Sequence, residues 1–352
     1  MTMALPAMKA RVTPRWRPFL TGAQADHAAE TVRAIVSELH KPFVHNKQRT
    51  AERLADQALL HGYLARVWPG SDDAAHAQRF LEESLEVTME TWMPPALHGG
   101  FTHLAWVMQH LGGQVLPETI DLSEEDPLED VEAALGEALA AEKWTQSYDL
   151  IGGLVGLGIF ALERLPRPGA RRCLERVVHH LLALSEVKAA GLRTWRTPET
   201  AVTQASKKAT DGSYNLGTAH GVPGVVGLLA AAWAHGIDRT RVEPALEESV
   251  RWLLAQRQPA GSLSAFAYSA DDEVRRAKVA RGAWCYGDPG VAVALLAAAQ
   301  AVGHAGWKEA AVEIGLRAVR RPEQTREVMD GGLCHGEAGL AHLFLRMYQQ
   351  TG

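Results

Sequence analysis

Apolar positions recur at helical spacing along most of this chain. Ala28, Val32, Ile35, Val36 and Leu39 fall at i, i+4, i+7, i+8 and i+11, and Ala170, Leu174, Val177, Val178, Leu181 and Leu184 follow a similar rule. That spacing puts each set on one stripe of a helix with charge on the opposite face, so these segments are predicted to be surface helices. Other stretches, such as residues 157–162 and 291–299, are apolar or small nearly all round, as a helix buried on every side must be. The two types alternate, and each inner stretch opens on a small-residue motif. Six openings can be read: Gly62-Tyr-Leu-Ala65, Gly100-Phe-Thr-His103, Gly153-Leu-Val-Gly156, Gly221-Val-Pro-Gly224, Gly287-Asp-Pro-Gly290 and Gly336-Glu-Ala-Gly339, the first two degenerate.

Alternating outer and inner helices, with no convincing period-2 run between them, predict an all-α fold, an α/α toroid in which an inner ring is wrapped by an outer one. A parallel β sheet is disfavoured. Glycine costs about 1 kcal/mol relative to alanine inside a helix. Two glycines at the start of an inner helix therefore need a reason, and the expected one is that missing side chains let the helix ends crowd together on one face. The two longest connections, residues 189–219 and 257–284, lead into inner helices and are expected to rim that face.

Composition narrows the class. With 352 residues, 47% apolar and 22% charged, the chain has enough apolar material for a sizeable core and a normal soluble surface. It is expected to form a single toroid domain over residues 1–352, with an irregular segment at 1–22. A net charge of -5 lacks the basic excess of a nucleic-acid-binding chain, so no nucleic-acid partner is expected. Residues 1–18 contain no apolar signal core, and the longest apolar runs are shorter than the ~20 residues a membrane span requires, which predicts a cytoplasmic protein without a membrane span. Three cysteines make no disulfide framework.

Candidate chemistry gathers at the openings. Cys285 and Cys334 hold equivalent positions two residues before a Gly-x-x-Gly pair, and His335 follows the second cysteine. Two thiolates and an imidazole form a three-ligand zinc set with an open fourth position; the alternative is a pair of buried small apolar residues beside a helix N-terminal histidine. His220, at the repeat position of His335, is a fourth ligand, a free acid/base or a capping residue. Asp149 opens the third inner helix as a cap or a site residue. Arg281 either stabilises an oxyanion or is solvated. Cys173 reads as packing within an outer helix, His179 and His180 as surface, and the remaining histidines show no comparable metal spacing.

Taken in order, Tyr148-Asp149-Leu-Ile-Gly, Leu216-Gly-Thr-Ala-His220-Gly-Val-Pro-Gly, Arg281-Gly-Ala-Trp-Cys285-Tyr-Gly-Asp-Pro-Gly and Leu333-Cys334-His335-Gly-Glu-Ala-Gly-Leu resemble the motifs of the lanthionine synthetase C-like family. The likeness covers most of the chain from about residue 25. It implies a zinc-dependent cyclase in which cysteine thiols of a dehydrated precursor peptide add to dehydroalanine or dehydrobutyrine to form thioether rings. It further implies Zn2+ held by Cys285, Cys334 and His335, with His220 as acid/base and Asp149 and Arg281 as active-site partners. A dehydratase and a transporter are the companion proteins it suggests. A non-catalytic module binding zinc and peptide is the rival function; a zinc hydrolase fits two cysteine ligands less well, because they make the metal less electrophilic. Family members usually carry seven helix pairs. The sequence shows six, with one helix after Cys334-His335, and an unpaired edge would expose apolar flanks and favour self-association.

Overall fold

The computed structural model describes residues 20–39, 50–120, 122, 126–197, 213–270, 279–328 and 330–352. Contacts divide the chain into Arg49–Phe344 and a second unit made of Met1–Gln48 with Leu345–Gly352. In the second unit, helix α1 (Ala23–Leu39) carries the expected apolar stripe, yet none of its residues is buried, and Val32 and Ile35 remain 37% and 54% exposed. Spacing reports what a helix is able to bury and says nothing about what covers it. The irregular segment expected at residues 1–22 falls almost wholly outside the described residues.

Within Arg49–Phe344 the alternation holds. Inner helices α2 (Ala51–Val67), α4 (Phe101–His110), α6 (Leu154–Glu163), α8 (Val222–Ala234) and α10 (Asp288–Val302) pack each on the next, and outer helices α3 (Asp73–Glu90), α5 (Leu128–Ala138), α7 (Pro168–Leu184), α9 (Arg239–Leu254) and α11 (Ala305–Arg320) each pack on the inner helix before them. A last helix, α12 (Glu337–Thr351), begins in this unit and ends in the other. This is the α/α toroid arrangement. Burial follows the sequence pattern: α6, α8 and α10 bury apolar residues on every side, and α7 buries Ala170, Cys173, Leu174, Val177, Val178 and Leu181 along one stripe. His180 joins that stripe rather than the surface. It is 3% exposed and hydrogen-bonds the Leu139 carbonyl at 2.9 Å through Nε2, whereas His179 is exposed.

The paired glycines have a more local reason than helix crowding. A Cβ at Gly153, Gly221 or Gly287 would lie 2.3, 2.2 or 1.8 Å from the carbonyl oxygen six residues earlier, on Ser147, Asn215 or Arg281. At the second glycine of each pair the rule repeats, with Gly156, Gly224 and Gly290 against the carbonyls of Leu150, Thr218 and Trp284. α6, α8 and α10 are thus each preceded by a turn that folds back onto the start of the helix, and only glycine admits that approach. Crowding by neighbouring openings is a lesser part, seen where Gly156 meets Leu97 and Gly290 meets Thr218. Gly62 departs from the pattern. It lies inside α2, against the Leu111 side chain of the π-helical turn Leu111–Val115 that extends α4.

A short hairpin, β1 (Glu186–Lys188) paired antiparallel with β2 (Leu192–Thr194), begins the long connection into α8. Three-residue strands are too short for a period-2 signal. Residues 198–212 and 271–278 of the two expected rim connections lie outside the described residues. No helix among the described residues is long and apolar enough to cross a membrane.

One polar cluster is sunk among these helices. The Arg164 side chain, with no exposed surface, reaches Asp126 at 2.7 Å and Glu132 at 2.6 Å, and donates to Gln109 at 2.8 Å. Burial pushes the Asp126 carboxyl up, but bonds from Arg164 and the Leu128 amide outweigh it and hold the group below its ordinary range. Arg164→Ala leaves the buried Glu132 carboxylate without its cation and Asp126 with Arg167 alone, and should cost about 3–5 kcal/mol in denaturant unfolding. Because the folded pKa of Asp126 is depressed, its contribution should be complete above about pH 4, the unfolded carboxyl range, and fade as pH falls through the folded value. Unfolding titrations at several pH values measure both effects.

Candidate metal centre

The turns that open the inner helices are joined to one another by peptide hydrogen bonds. His98 N–H donates to Ile151 O at 2.9 Å, Leu150 N–H to Ala219 O at 3.1 Å, Ala219 N–H to Cys285 O at 3.3 Å, and Cys285 N–H to Cys334 O at 3.3 Å. Five openings are therefore held side by side, and the residues that the repeat made equivalent become spatial neighbours. Ala219, Ala283 and Cys285 form a small buried cluster flanked by Ile151, Trp284 and Tyr286.

Cys285, Cys334 and His335 end that series with ligand-capable atoms all within 4.8 Å of one another. Cys285 is buried and Cys334 exposed, so the group opens to one side. The Cys334 thiol donates to the Cys285 sulfur, and with burial opposing, Arg281, the Tyr286 amide and His335 add to that pull and lower Cys285 to about 6. Cys334 is correspondingly pushed up, because giving up its proton would set two thiolates side by side. The pair shares one proton. A divalent cation is what lets both sulfurs be anionic at once, and the set of two sulfurs and one imidazole suits zinc with a free coordination position. His335 Nε2 lies 3.0 Å from Asp330 Oδ2, whose other oxygen accepts from Gly332 N–H at 2.7 Å. That leaves Nδ1 as the nitrogen available to a metal, with a carboxylate behind the ring as metal-binding histidines commonly have.

His220 and Asp149 meet across 71 residues of sequence: His220 Nδ1 donates to Asp149 Oδ2 at 2.6 Å. Asp149 Oδ1 accepts from Gly152 N–H at 2.9 Å, so this residue caps its own turn and orients the histidine together. Nδ1 thereby carries a proton, and Nε2 is left for exchange. Ala219, which precedes His220, is the residue bonded to the Cys285 carbonyl. Arg281 is close enough for its charge to help lower Cys285, and its guanidinium is bound by Tyr268, which with nearby negative groups holds its pKa up.

Several residues here are not among the candidates the sequence singles out, although Tyr286 and Asp288 lie within a quoted motif. Tyr286 packs its ring 6.2 Å from that of His220 and 5.2 Å from that of Tyr268, and its hydroxyl accepts from Asn215 Nδ2 at 2.8 Å. Tyr268 also accepts the Arg281 N–H at 3.2 Å. Asp288, 2% exposed at the start of α10, accepts from the amides of Ala265 and Phe266 at 2.7 and 3.0 Å and so pins the loop that carries Tyr268. Asn215 and Asp288 lie within or beside the motifs, but their partners are tens of residues away. Cys173 is the packing residue expected, 3% exposed with its thiol 3.5 Å from Glu132 O. A cleft of about 660 Å³ between α5 and α7 holds none of these site residues.

Histidines without sequence spacing nonetheless gather. His61, Asp73 and His76 form one group and Glu52, His98 and His103 another, each with ligand-capable atoms within 4.8 Å. In the first, His61 is 1% exposed and bound through Nδ1 to Asp73 at 2.6 Å, which ties α2 to α3.

Two cysteines and a histidine thus converge where the inner helices of an α/α toroid open. Residues 58–352 match the family model described as lanthionine synthetase C-like protein, and the chain belongs to that family. Among solved structures it is similar to nisin cyclase, with a TM-score of 0.66 and 19% identity over 92% of this chain and 81% of that one. At this identity the likeness speaks for the fold.

Asp330→Asn should weaken zinc affinity about 10–100-fold by removing the carboxylate behind His335. Competition with a chromogenic chelator measures it; unchanged affinity would mean that Asp330 does not support a metal ligand.

Proposed function

We propose that this protein is a lanthipeptide cyclase that closes thioether rings in a dehydrated precursor peptide. One observation carries the reading: the thiol pair with His335 and the His220–Asp149 pair are neighbours through the Ala219–Cys285 peptide bond pairing. A metal-binding thiol set beside an oriented proton carrier is what thiol addition to an alkene requires. Membership of the family supports the same reading.

A zinc ion held by Cys285, Cys334 and His335 would lower the pKa of an arriving cysteine thiol, so that thiolate exists near neutral pH. The peptide thiolate attacks the β-carbon of dehydroalanine or dehydrobutyrine; a C–S bond forms and the π pair moves onto the adjacent carbonyl as an enolate. His220, protonated at Nε2 and held through Nδ1 by Asp149, delivers a proton to the α-carbon. Arg281, anchored by Tyr268, contributes positive charge where the enolate develops. Tyr286, fixed by Asn215, packs beside His220 and limits how its ring can turn. The thiol proton lost at the start is matched by the one gained at the α-carbon, so mass is unchanged.

Incubation with a dehydrated, cysteine-containing peptide tests this. Loss of free thiol without mass change is expected; cleavage would indicate a hydrolase, and retention without reaction a binding module. Cys334→Ala should lose zinc and cyclisation together. His220→Ala should keep zinc and lose turnover by about 10²–10⁴-fold, the usual worth of a positioned acid/base. Metal loss in His220→Ala would make that residue a ligand instead.

A further inference from the structure

We propose that Glu52, His98 and His103 form a second divalent-cation site, suited to zinc, where the N-terminus of α2 meets the turn that opens α4. Their ligand-capable atoms all lie within 4.8 Å of one another. Each is fixed by something other than its neighbours in the cluster. His98 sits on the turn before α4, its N–H bonded to Ile151 O at 2.9 Å. The next residue, Gly99, has φ +73°, a left-handed conformation that glycine adopts readily, and its N–H donates to Glu52 Oε1 at 3.2 Å. Glu52 lies in the first turn of α2, behind the Thr50 cap.

His103 supplies the most specific feature. It is 7% exposed, and its Nδ1 lies 3.2 Å from Leu97 O. A carbonyl only accepts, so Nδ1 carries a proton, and Nε2 faces a carboxylate, so both ring nitrogens point at acceptors. A divalent cation here would take the place of the Nε2 proton that faces Asp56, while the Leu97 carbonyl keeps the ring oriented through Nδ1, as metal-ligating histidines are commonly held. Nε2 is aimed at carboxylate, 3.0 Å from Asp56 Oδ1, and Asp56 stands one helical turn after Glu52 on α2. Two imidazoles and one carboxylate, with a second carboxylate at hand, make a donor set that zinc and its divalent neighbours accept. Entry is open, since the side chains of His98, Glu52 and Asp56 are 42%, 36% and 60% exposed. The ion would clasp α2 to the turn that is bonded, through Ile151, to the loops around Cys285.

This site stands independently of the cyclase reading, and cobalt(II) separates the two. Sulfur ligands give an intense thiolate-to-cobalt band, whereas a histidine-carboxylate site gives only weak d–d bands. Titration of the full chain with Co2+ should show both signals. Glu52→Gln, a near-isosteric change, and His103→Ala should each weaken the histidine-carboxylate component at least 10-fold while the thiolate band stays. In the reverse experiment, Cys285→Ser with Cys334→Ser should abolish the thiolate band and keep the weak one. Circular dichroism checks folding of each variant, and Glu52→Gln decides the matter should His103→Ala unfold. A full chain that shows the thiolate band alone, or a weak component that survives both Glu52→Gln and His103→Ala, overturns the proposal. Absence of the thiolate band would count against the cysteine centre and leave this site's test intact.

Discussion

Peptide hydrogen bonds between neighbouring helix openings hold one face of this toroid together. They run from the turn before α4 to that before α6, then to α8, α10 and α12, through His98, Ile151, Leu150, Ala219, Cys285 and Cys334. Each such bond adds only about 1 kcal/mol net, but a buried peptide group left without a partner costs about 1–3 kcal/mol. Turn position is therefore specified more by the penalty for slipping than by the gain from pairing. The glycine pairs serve the same end. They let the turns before α6, α8 and α10 fold onto the helices they introduce, which brings their peptide groups within reach of the neighbouring turns.

A consequence is that one repeat position becomes one place in space. Cys285 and Cys334 are 49 residues apart in sequence but joined by a backbone bond. His220 is brought beside them by Ala219, and Asp149 reaches His220 from the preceding opening. The electrostatics follow from this proximity. Two thiols forced together share a proton, so that Cys285 titrates near 6 while Cys334 resists ionisation. A site that disfavours two negative sulfurs, with Arg281 and His335 close by, is one that a divalent cation relieves. The carboxylate of Asp330 behind His335 adds to that preference.

Much of this was legible before any coordinates. Outer stripes and all-apolar inner segments revealed the toroid because burial on one side and burial on every side leave different periodicities. Cys285, Cys334, His335 and His220 stood out because a repeat marks equivalent positions, and equivalence on a ring means proximity, whereas Asp149 read as a helix cap and took a site role only from the motif resemblance. What stayed hidden depends on pairings with no local trace. His180 reads as surface beside His179, yet it turns inward to the Leu139 carbonyl. Tyr268, Asn215 and Asp288 act through partners reached only after folding, and Glu52 meets His98 and His103 across α2 and α4. The stripe of α1 forms the surface helix expected of it, with none of its residues buried among the described residues.

Zinc K-edge X-ray absorption tests the thiol centre most directly when recorded on the Glu52→Gln protein carrying one equivalent of zinc, alone and with a dehydrated cysteine-containing peptide. Two sulfur ligands at about 2.3 Å with nitrogen and oxygen completing the shell are expected, and a third sulfur once the peptide binds. A resting shell with fewer than two sulfurs, or one unchanged by the peptide, would contradict the proposed thiol centre.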